Sequence, residues 1–168
     1  REVQTAPDTV LYGMIQTDAP ITSGSSGGSL VDADGALIGI TTAVGVSAIG
    51  VEGIGFATPV EIVKRVADEI IATGSVSHAL LGITGETAYN ETGDGGSAPV
   101  GVDVISVGGG SAAQLAGVTV GDVITAVDGS PVLTMDELIT ALRRVGSGDT
   151  VQLSLADGRT VTPTLDSR

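Results

Sequence analysis

The chain has 168 residues, 42% of them apolar, with a formal net charge of −13 and no cysteine. That charge would repel a nucleic-acid backbone, and the lack of cysteine excludes disulfides and thiolate metal sites. No apolar run reaches the roughly 18 residues that span a bilayer as a helix. With 26 glycines and only three aromatic residues, Tyr12, Phe56 and Tyr89, the composition points to a turn-rich, mainly β protein with a few helices and an aliphatic core. The acidic residues are scattered and read as solvated surface. No signal peptide is visible, and the start at Arg1 without Met points to a piece of a longer precursor.

In chain order, Val10 to Gln16 reads as a strand and Pro20 to Gly28 as a loop of small residues. Asp32-Ala33-Asp34-Gly35 sits between the apolar runs Ser29–Val31 and Ala36–Thr42, a hairpin signal. Its acidic residues look like the start of a calcium loop, but the later ligands are absent, so a turn is the reading. Gly53 to Ala57 is a further strand. Thr58 is placed to cap a helix, with Pro59 at its first position and Glu61 closing a capping box. Val60, Ile62, Val63, Val66, Ile70 and Ile71 supply its apolar face, and Gly74 ends it. Gly74 to His78 is the expected linker, dividing residues 1–76 from residues 77–168.

The second part continues with a strand from Val100 to Val107, a short helix from Ser111 stopped by Gly117, and a strand from Val123 to Val127. Asp128-Gly129 is a turn. Thr134 and Glu137 form a second capping box, opening a helix to about Val145. Thr150–Leu155 and Thr160–Leu165 form a closing hairpin around Asp157-Gly158. Gly93 to Ser97 is expected to be a mobile loop. Gly108-Gly109-Gly110-Ser111-Ala112-Ala113 matches a dinucleotide fingerprint in spacing, but Gly117 stops the helix too soon for a crossover unit.

The stretch most informative about chemistry is Gly24-Ser25-Ser26-Gly27-Gly28. A serine hydroxyl becomes a useful nucleophile only when it stands exposed beside a base. The tetrahedral intermediate it forms needs backbone N–H donors aimed at its oxyanion. The pentapeptide alone would equally suit a Gly/Ser-rich surface loop. Its flanks decide otherwise: Ile15 to Ala19 before it, Leu37 to Ala43 after it, and Ile54 to Pro59 further on. With them, the stretch resembles the nucleophile loop of HtrA-type (Deg) serine proteases, which have a chymotrypsin-like double β-barrel. The family usually carries Asn where Ser25 stands and Asn-Pro where Thr22-Ser23 stand.

The resemblance implies Ser26 as nucleophile and the N–H groups of Gly24 and Ser26 as oxyanion donors. It places Pro20, Ile21 and Thr22 at the floor of the primary specificity pocket, with Thr41, Thr42 and Ala43 on its wall. That floor holds no carboxylate, so a small aliphatic residue suits it better than Arg or Lys. The fold's triad runs His, Asp, Ser along the chain, whereas the only histidine here, His78, follows Ser26. His78 is read as an exposed linker residue. Asp18, too close before Ser26 to be the triad acid, is read as a loop-stabilising carboxylate.

Residues Leu80 to Leu165 resemble a bacterial PDZ domain through Leu80-Leu81-Gly82-Ile83, Gly110 to Gly117 and Val120 to Ile124. The resemblance makes Leu81, Gly82 and Ile83 a loop for a peptide carboxylate, with the peptide adding as a strand beside Ile83. Leu138 and Leu142 would receive its terminal side chain; plain core packing is also open to them.

The expected architecture is thus the C-terminal portion of a trypsin-like protease domain, an incomplete barrel, followed by a PDZ domain. The expected partners are unfolded protein substrates, peptide C-termini and the N-terminal half of the same protease, with trimers at full length. No cofactor, metal or nucleic acid is implied, and the expected location is extracytoplasmic. Alone, the chain should be inactive for want of the triad His and Asp. A peptide-binding module and a pseudoprotease are the rival readings. Residues 1–58 supply about four strands, an open sheet expected to be ordered only with a partner.

Overall fold

The computed structural model describes residues 3–6, 9–22, 24–46, 52–93 and 95–167. The protein is mainly β with three helices among the described residues, and it divides into two compact units, Arg1–Val76 and Ser77–Arg168.

In the first unit, β1 (Val3–Ala6) pairs with β2 (Thr9–Leu11) as a separate two-stranded ribbon. β3 (Ile15–Thr17), β4 (Ser29–Val31), β5 (Leu37–Val46) and β6 (Glu52–Pro59) form an antiparallel sheet in the order β3-β6-β5-β4. The single strand expected over Val10 to Gln16 is instead two, broken at Gly13, where φ is +69°. Among the described residues the first unit has six strands, in two sheets, rather than about four. The β4–β5 hairpin forms where Asp-Gly placed it. The Asp32 carboxylate accepts the N–H groups of Asp34 (3.0 Å) and Ala36 (2.9 Å), the local bonding that makes Asp a turn residue.

α1 (Val60–Thr73) starts one residue later than expected. Pro59 occupies the N-cap with extended backbone, and no side chain caps the helix. Thr58 stays in β6 and spends its hydroxyl on Thr42 Oγ1, 2.8 Å away, so the capping box does not form. Strand pairing of Ile40 with Thr58 holds that residue out of capping geometry. α1 lies against β5 and β6, yet none of its residues is buried, and Ile71 is 84% exposed.

The second unit contains β7 (Ala79–Leu80), β8 (Ile83–Glu91), β9 (Ser97–Val107), β10 (Val123–Val127), β11 (Ser130–Pro131), β12 (Leu153–Leu155), β13 (Thr160–Val161) and β14 (Asp166–Ser167). The main sheet runs β13-β12-β10-β9-β8, with β11 on β10, and β14 pairs with β7. Two helices complete it, α2 (Ala112–Leu115) and α3 (Met135–Arg143). Ser111 and Thr134 cap them, accepting the N–H of Gln114 (3.3 Å) and Glu137 (3.2 Å). The Glu137 carboxylate accepts from Leu133 N–H (2.7 Å) rather than from Thr134, so the box is displaced by one residue. α3 closes at Arg143, short of Val145, in a turn where Arg144 N–H reaches Ala141 O (3.2 Å).

The core belongs to this unit: Val102, Val104, Ile124, Val132, Leu138, Val151 and Leu153 are almost wholly buried in one cluster. Each such side chain removed from water stabilises the fold by about 1.5–3 kcal/mol before entropy is counted. The four-residue α2 ends before Gly117, and the strands that flank it, β9 and β10, pair antiparallel. Of the expected loop from Gly93 to Ser97, residue 94 lies outside the described residues.

Candidate active site and peptide groove

β3 and β4 carry the two ends of the nucleophile loop. Thr17, last in β3, accepts Ala19 N–H on its hydroxyl (3.0 Å), and Ile21 N–H reaches Ala19 O (2.7 Å). A reciprocal turn follows: Ser25 N–H donates to Thr22 O (3.0 Å), and Thr22 N–H to Ser25 Oγ (3.2 Å). Gly24 and Gly27 have φ of +97° and +87°, a left-handed conformation that side chains resist. Between them, Ser26 stands exposed. Its hydroxyl points to Thr42 O at 3.5 Å, the outer limit of a hydrogen bond, so it is loosely held. The N–H groups of Gly24 and Ser26 have no acceptor among the described residues. Ser23 lies outside the described residues.

The far side of the loop docks on β5. Gly27 N–H donates to Thr41 O (2.8 Å), Thr41 N–H to Gly28 O (2.8 Å), and Gly28 N–H to Ser25 O (2.9 Å). Thr41 is buried, and its hydroxyl bonds Ser25 O and, at 3.2 Å, Gly28 O. A Cβ on Gly28 would lie 2.9 Å from Ser25 O, so this approach requires glycine.

Of the residues expected at the specificity pocket, Pro20, Thr22 and Thr42 are exposed, and Ile21 and Ala43 are half-buried. Ile21 covers Gly55 on β6 so closely that a Cβ there would meet its Cδ1 at 2.4 Å. Thr41 turns its hydroxyl into the loop rather than towards open surface. Asp18 is exposed. It borders a hollow with Gln16, Thr17 and Ile54, and the neighbouring Thr17 hydroxyl holds Ala19 N–H. Sequence reasoning missed Thr17 in that role; a hydroxyl two residues before a free N–H was the available signal.

In the second unit, β8 pairs only with β9 among the described residues, leaving its other edge open. A groove of about 600 Å³ runs along that side between β8 and α3. Leu81, Gly82 and Ile83 line it from the strand side, and Leu138 and Leu142 from the helix. Leu138 is also core, at 1% exposure, so the wall of the groove and the core are the same side chain. Leu81 O accepts Ala113 N–H and Gly82 O accepts Gly108 N–H, both at 2.9 Å, which pins the loop from behind. Gly82 has φ of +80°, and a Cβ there would strike Ser111 Cβ at 2.3 Å. The Thr87 hydroxyl accepts Met135 N–H (3.1 Å), joining β8 to the start of α3. His78 is exposed and lines the end of the groove. No cluster of three or more His, Cys, Asp or Glu suited to a metal ion occurs among the described residues.

Comparison with known proteins agrees with both halves. Residues 2–67 match the trypsin family model and residues 104–155 a PDZ domain model. The chain is 40% identical over 162 residues to the serine protease PepD of Mycobacterium tuberculosis, covering 90% of this chain and 33% of that protein. It is 37% identical over 147 residues to the periplasmic pH-dependent serine endoprotease DegQ of Escherichia coli, covering 86% and 32%. Among solved structures, the HtrA-type protease AlgW with a tripeptide superposes with a TM-score of 0.64 at 31% identity, over 92% of this chain and 53% of that one. A serine endoprotease from Yersinia pestis gives 0.54 at 32%, over 95% and 57%. The chain spans about a third of the length of these curated relatives.

Proposed function

We propose, on this likeness to HtrA-type serine proteases, that the chain carries the nucleophile, Ser26, of an ATP-independent serine endopeptidase acting on misfolded proteins. The exposed Ser26 hydroxyl between two left-handed glycines, with N–H groups of Gly24 and Ser26 that have no acceptor among the described residues, carries this reading. In it, residues 1–76 are the end of the protease domain and residues 77–168 the PDZ domain. The triad His and Asp come from protein outside this chain. Relatives named as periplasmic support an extracytoplasmic location, and at full length the family resemblance favours a trimer.

The uncharged residues Pro20, Ile21 and Thr22, with Ile21 laid over Gly55, favour Val or Ala at the cleavage position. In the PDZ half, the free edge of β8 would pair with a peptide whose carboxylate meets Leu81, Gly82 and Ile83, its terminal side chain resting on Leu138 and Leu142.

The test compares the complete protease, its Ser26→Ala variant and residues 1–168 alone on casein. The complete enzyme should lose at least ~10³-fold of its rate on Ser26→Ala, and residues 1–168 alone should not cleave. Turnover that survives the substitution refutes the assignment of Ser26. Ser26-dependent turnover by residues 1–168 alone refutes the need for an outside base. A peptide-library profile dominated by Arg or Lys refutes the aliphatic pocket.

The groove beside β8 favours a second reading, a peptide-binding module with the protease part as scaffold. Binding of free but not amidated peptide C-termini by a complete protein without hydrolytic activity would select it.

A further inference from the structure

Resting on the assignment of Ser26 as nucleophile, we propose that Thr41 is a positioning residue: its buried hydroxyl fixes the Ser25–Ser26 peptide plane and so aims the Ser26 N–H at the oxyanion.

The argument starts from the peptide unit. It is planar and trans, so the carbonyl of Ser25 and the N–H of Ser26 point in opposite directions from one rigid plane. Whatever holds Ser25 O decides where the Ser26 N–H points. Two donors hold it, Gly28 N–H at 2.9 Å and the Thr41 hydroxyl. The opposite end of the same plane, the Ser26 N–H, has no acceptor among the described residues and is free to donate to a bound group.

The side chain of Thr41 is separable from its backbone. The main chain of Thr41 already ties Gly27 and Gly28 to β5, at 2.8 Å each, and any residue at 41 would do the same. The hydroxyl adds a hold on Ser25 O, with Gly28 O as its second acceptor at 3.2 Å. A hydroxyl has one proton to give, and Ser25 O is the nearer of the two. Its effect therefore falls on the peptide that precedes the nucleophile.

Two further observations fit. Thr41 is 6% exposed, so water does not readily take the place of its hydroxyl. A Cβ at Gly28 would stand 2.9 Å from Ser25 O and 3.4 Å from Thr41 Oγ1, so no side chain at 28 can supply a substitute. Branching at Cβ restricts χ1 and keeps the hydroxyl aimed.

The experiment uses the complete protease with Thr41→Val, Thr41→Ser and Ser26→Ala, measured as kcat and KM on a chromogenic peptide. Thr41→Val keeps the shape and deletes the donor. It should lower kcat by ~10- to 100-fold with KM changed less than ~3-fold, since a misaimed oxyanion donor weakens the transition state and not the ground state. Thr41→Ser, which restores the hydroxyl, should recover kcat to within ~3-fold of the wild type. A loss confined to folding would lower the fraction of active enzyme, and with it the apparent kcat at unchanged KM, so kcat is referred to active sites counted by titration with a fluorophosphonate. Per active site such a loss vanishes, whereas the loss expected here remains and follows the hydroxyl.

Should Thr41→Val fail to fold, Thr41→Ala removes the same donor without setting a methyl against Ser25 O, and carries the comparison. Hydrolysis that survives Ser26→Ala overturns the nucleophile and this inference with it. Hydrolysis lost on Ser26→Ala but unchanged on Thr41→Val, or as slow in Thr41→Ser as in Thr41→Val, overturns the inference alone.

Discussion

Helices α1 and α3 are both amphipathic, yet α1 buries none of its fourteen residues while α3 buries Leu138 to 1% exposure. The same contrast runs through the two units. In residues 77–168 a continuous aliphatic cluster joins β9, β10 and β12 with α2 and α3. In residues 1–76 the described buried side chains are few, Met14, Thr41, Ala57 and Pro59, and Val31, Leu37, Ile54, Ile70 and Ile71 stand exposed. An amphipathic pattern states that a face needs apolar surface; whether this chain contains that surface is a separate matter. The second unit answers its own pattern, and the first does so only in part.

Hydrogen exchange on residues 1–168 tests this contrast most severely. Amides of Val100–Val107 and Leu153–Leu155 should exchange at least ~100-fold more slowly than those of Leu37–Thr42, because opening of a region with few buried contacts costs little. Equal protection in both units of a monomer would break the comparison.

Core truncation should give the next largest difference. Leu138→Ala should destabilise the second unit by ~2–5 kcal/mol in urea unfolding followed by circular dichroism. Ile71→Ala, on a residue 84% exposed, should fall within ~0.5 kcal/mol of the wild type. A large cost for Ile71→Ala would mean that α1 is packed in solution.

The smallest expected effect concerns helix caps. Thr134→Ala removes the acceptor for Glu137 N–H and should cost ~1 kcal/mol, seen as roughly fivefold faster exchange of that amide. Thr58→Ala should leave exchange in the first turn of α1 unchanged, since no side chain caps that helix. Acceleration there would restore Thr58 as a cap.

The caps show how far the sequence could be read. Thr134 and Thr58 present the same local signal, a threonine before a helical run with Glu three residues on. Thr134 lies outside any strand and can adopt cap geometry, whereas Thr58 is claimed by the β5–β6 ladder. The deciding partner lies eighteen residues away in Ile40, where a local pattern carries no information. Turns built from adjacent residues, such as Asp32 to Gly35 and Asp157-Gly158, were legible because donor and acceptor lie within the same few residues.

In the candidate site, Ser26 and its glycines were legible for the same reason, since their spacing is the motif. Thr41 is placed on the pocket wall by resemblance, which says nothing of what its hydroxyl bonds, and its acceptors Ser25 O and Gly28 O lie sixteen and thirteen residues away. The Thr17 bond was not legible because either of two adjacent polar side chains, Thr17 or Asp18, could hold Ala19 N–H, and the hydroxyl does so.

The open edge of β8 has a bearing on solubility. An unpaired strand is a template for other copies of the same chain, and stacking of such edges is how soluble domains start fibrils. Two features limit that growth here. The pairing of β8 with β9 slips register twice, between Thr84 and Gly85 and between Ala88 and Tyr89, and such irregularities increase twist. A twisted rim admits a short extended segment but gives a long, flat partner no continuous match. The exposed Glu86 and Glu91 lie on this strand in a chain of net charge −13, so a second copy meets like charge as it approaches. Raising the ionic strength removes that repulsion while leaving the twist, so salt alone should bring copies together without elongating them into filaments.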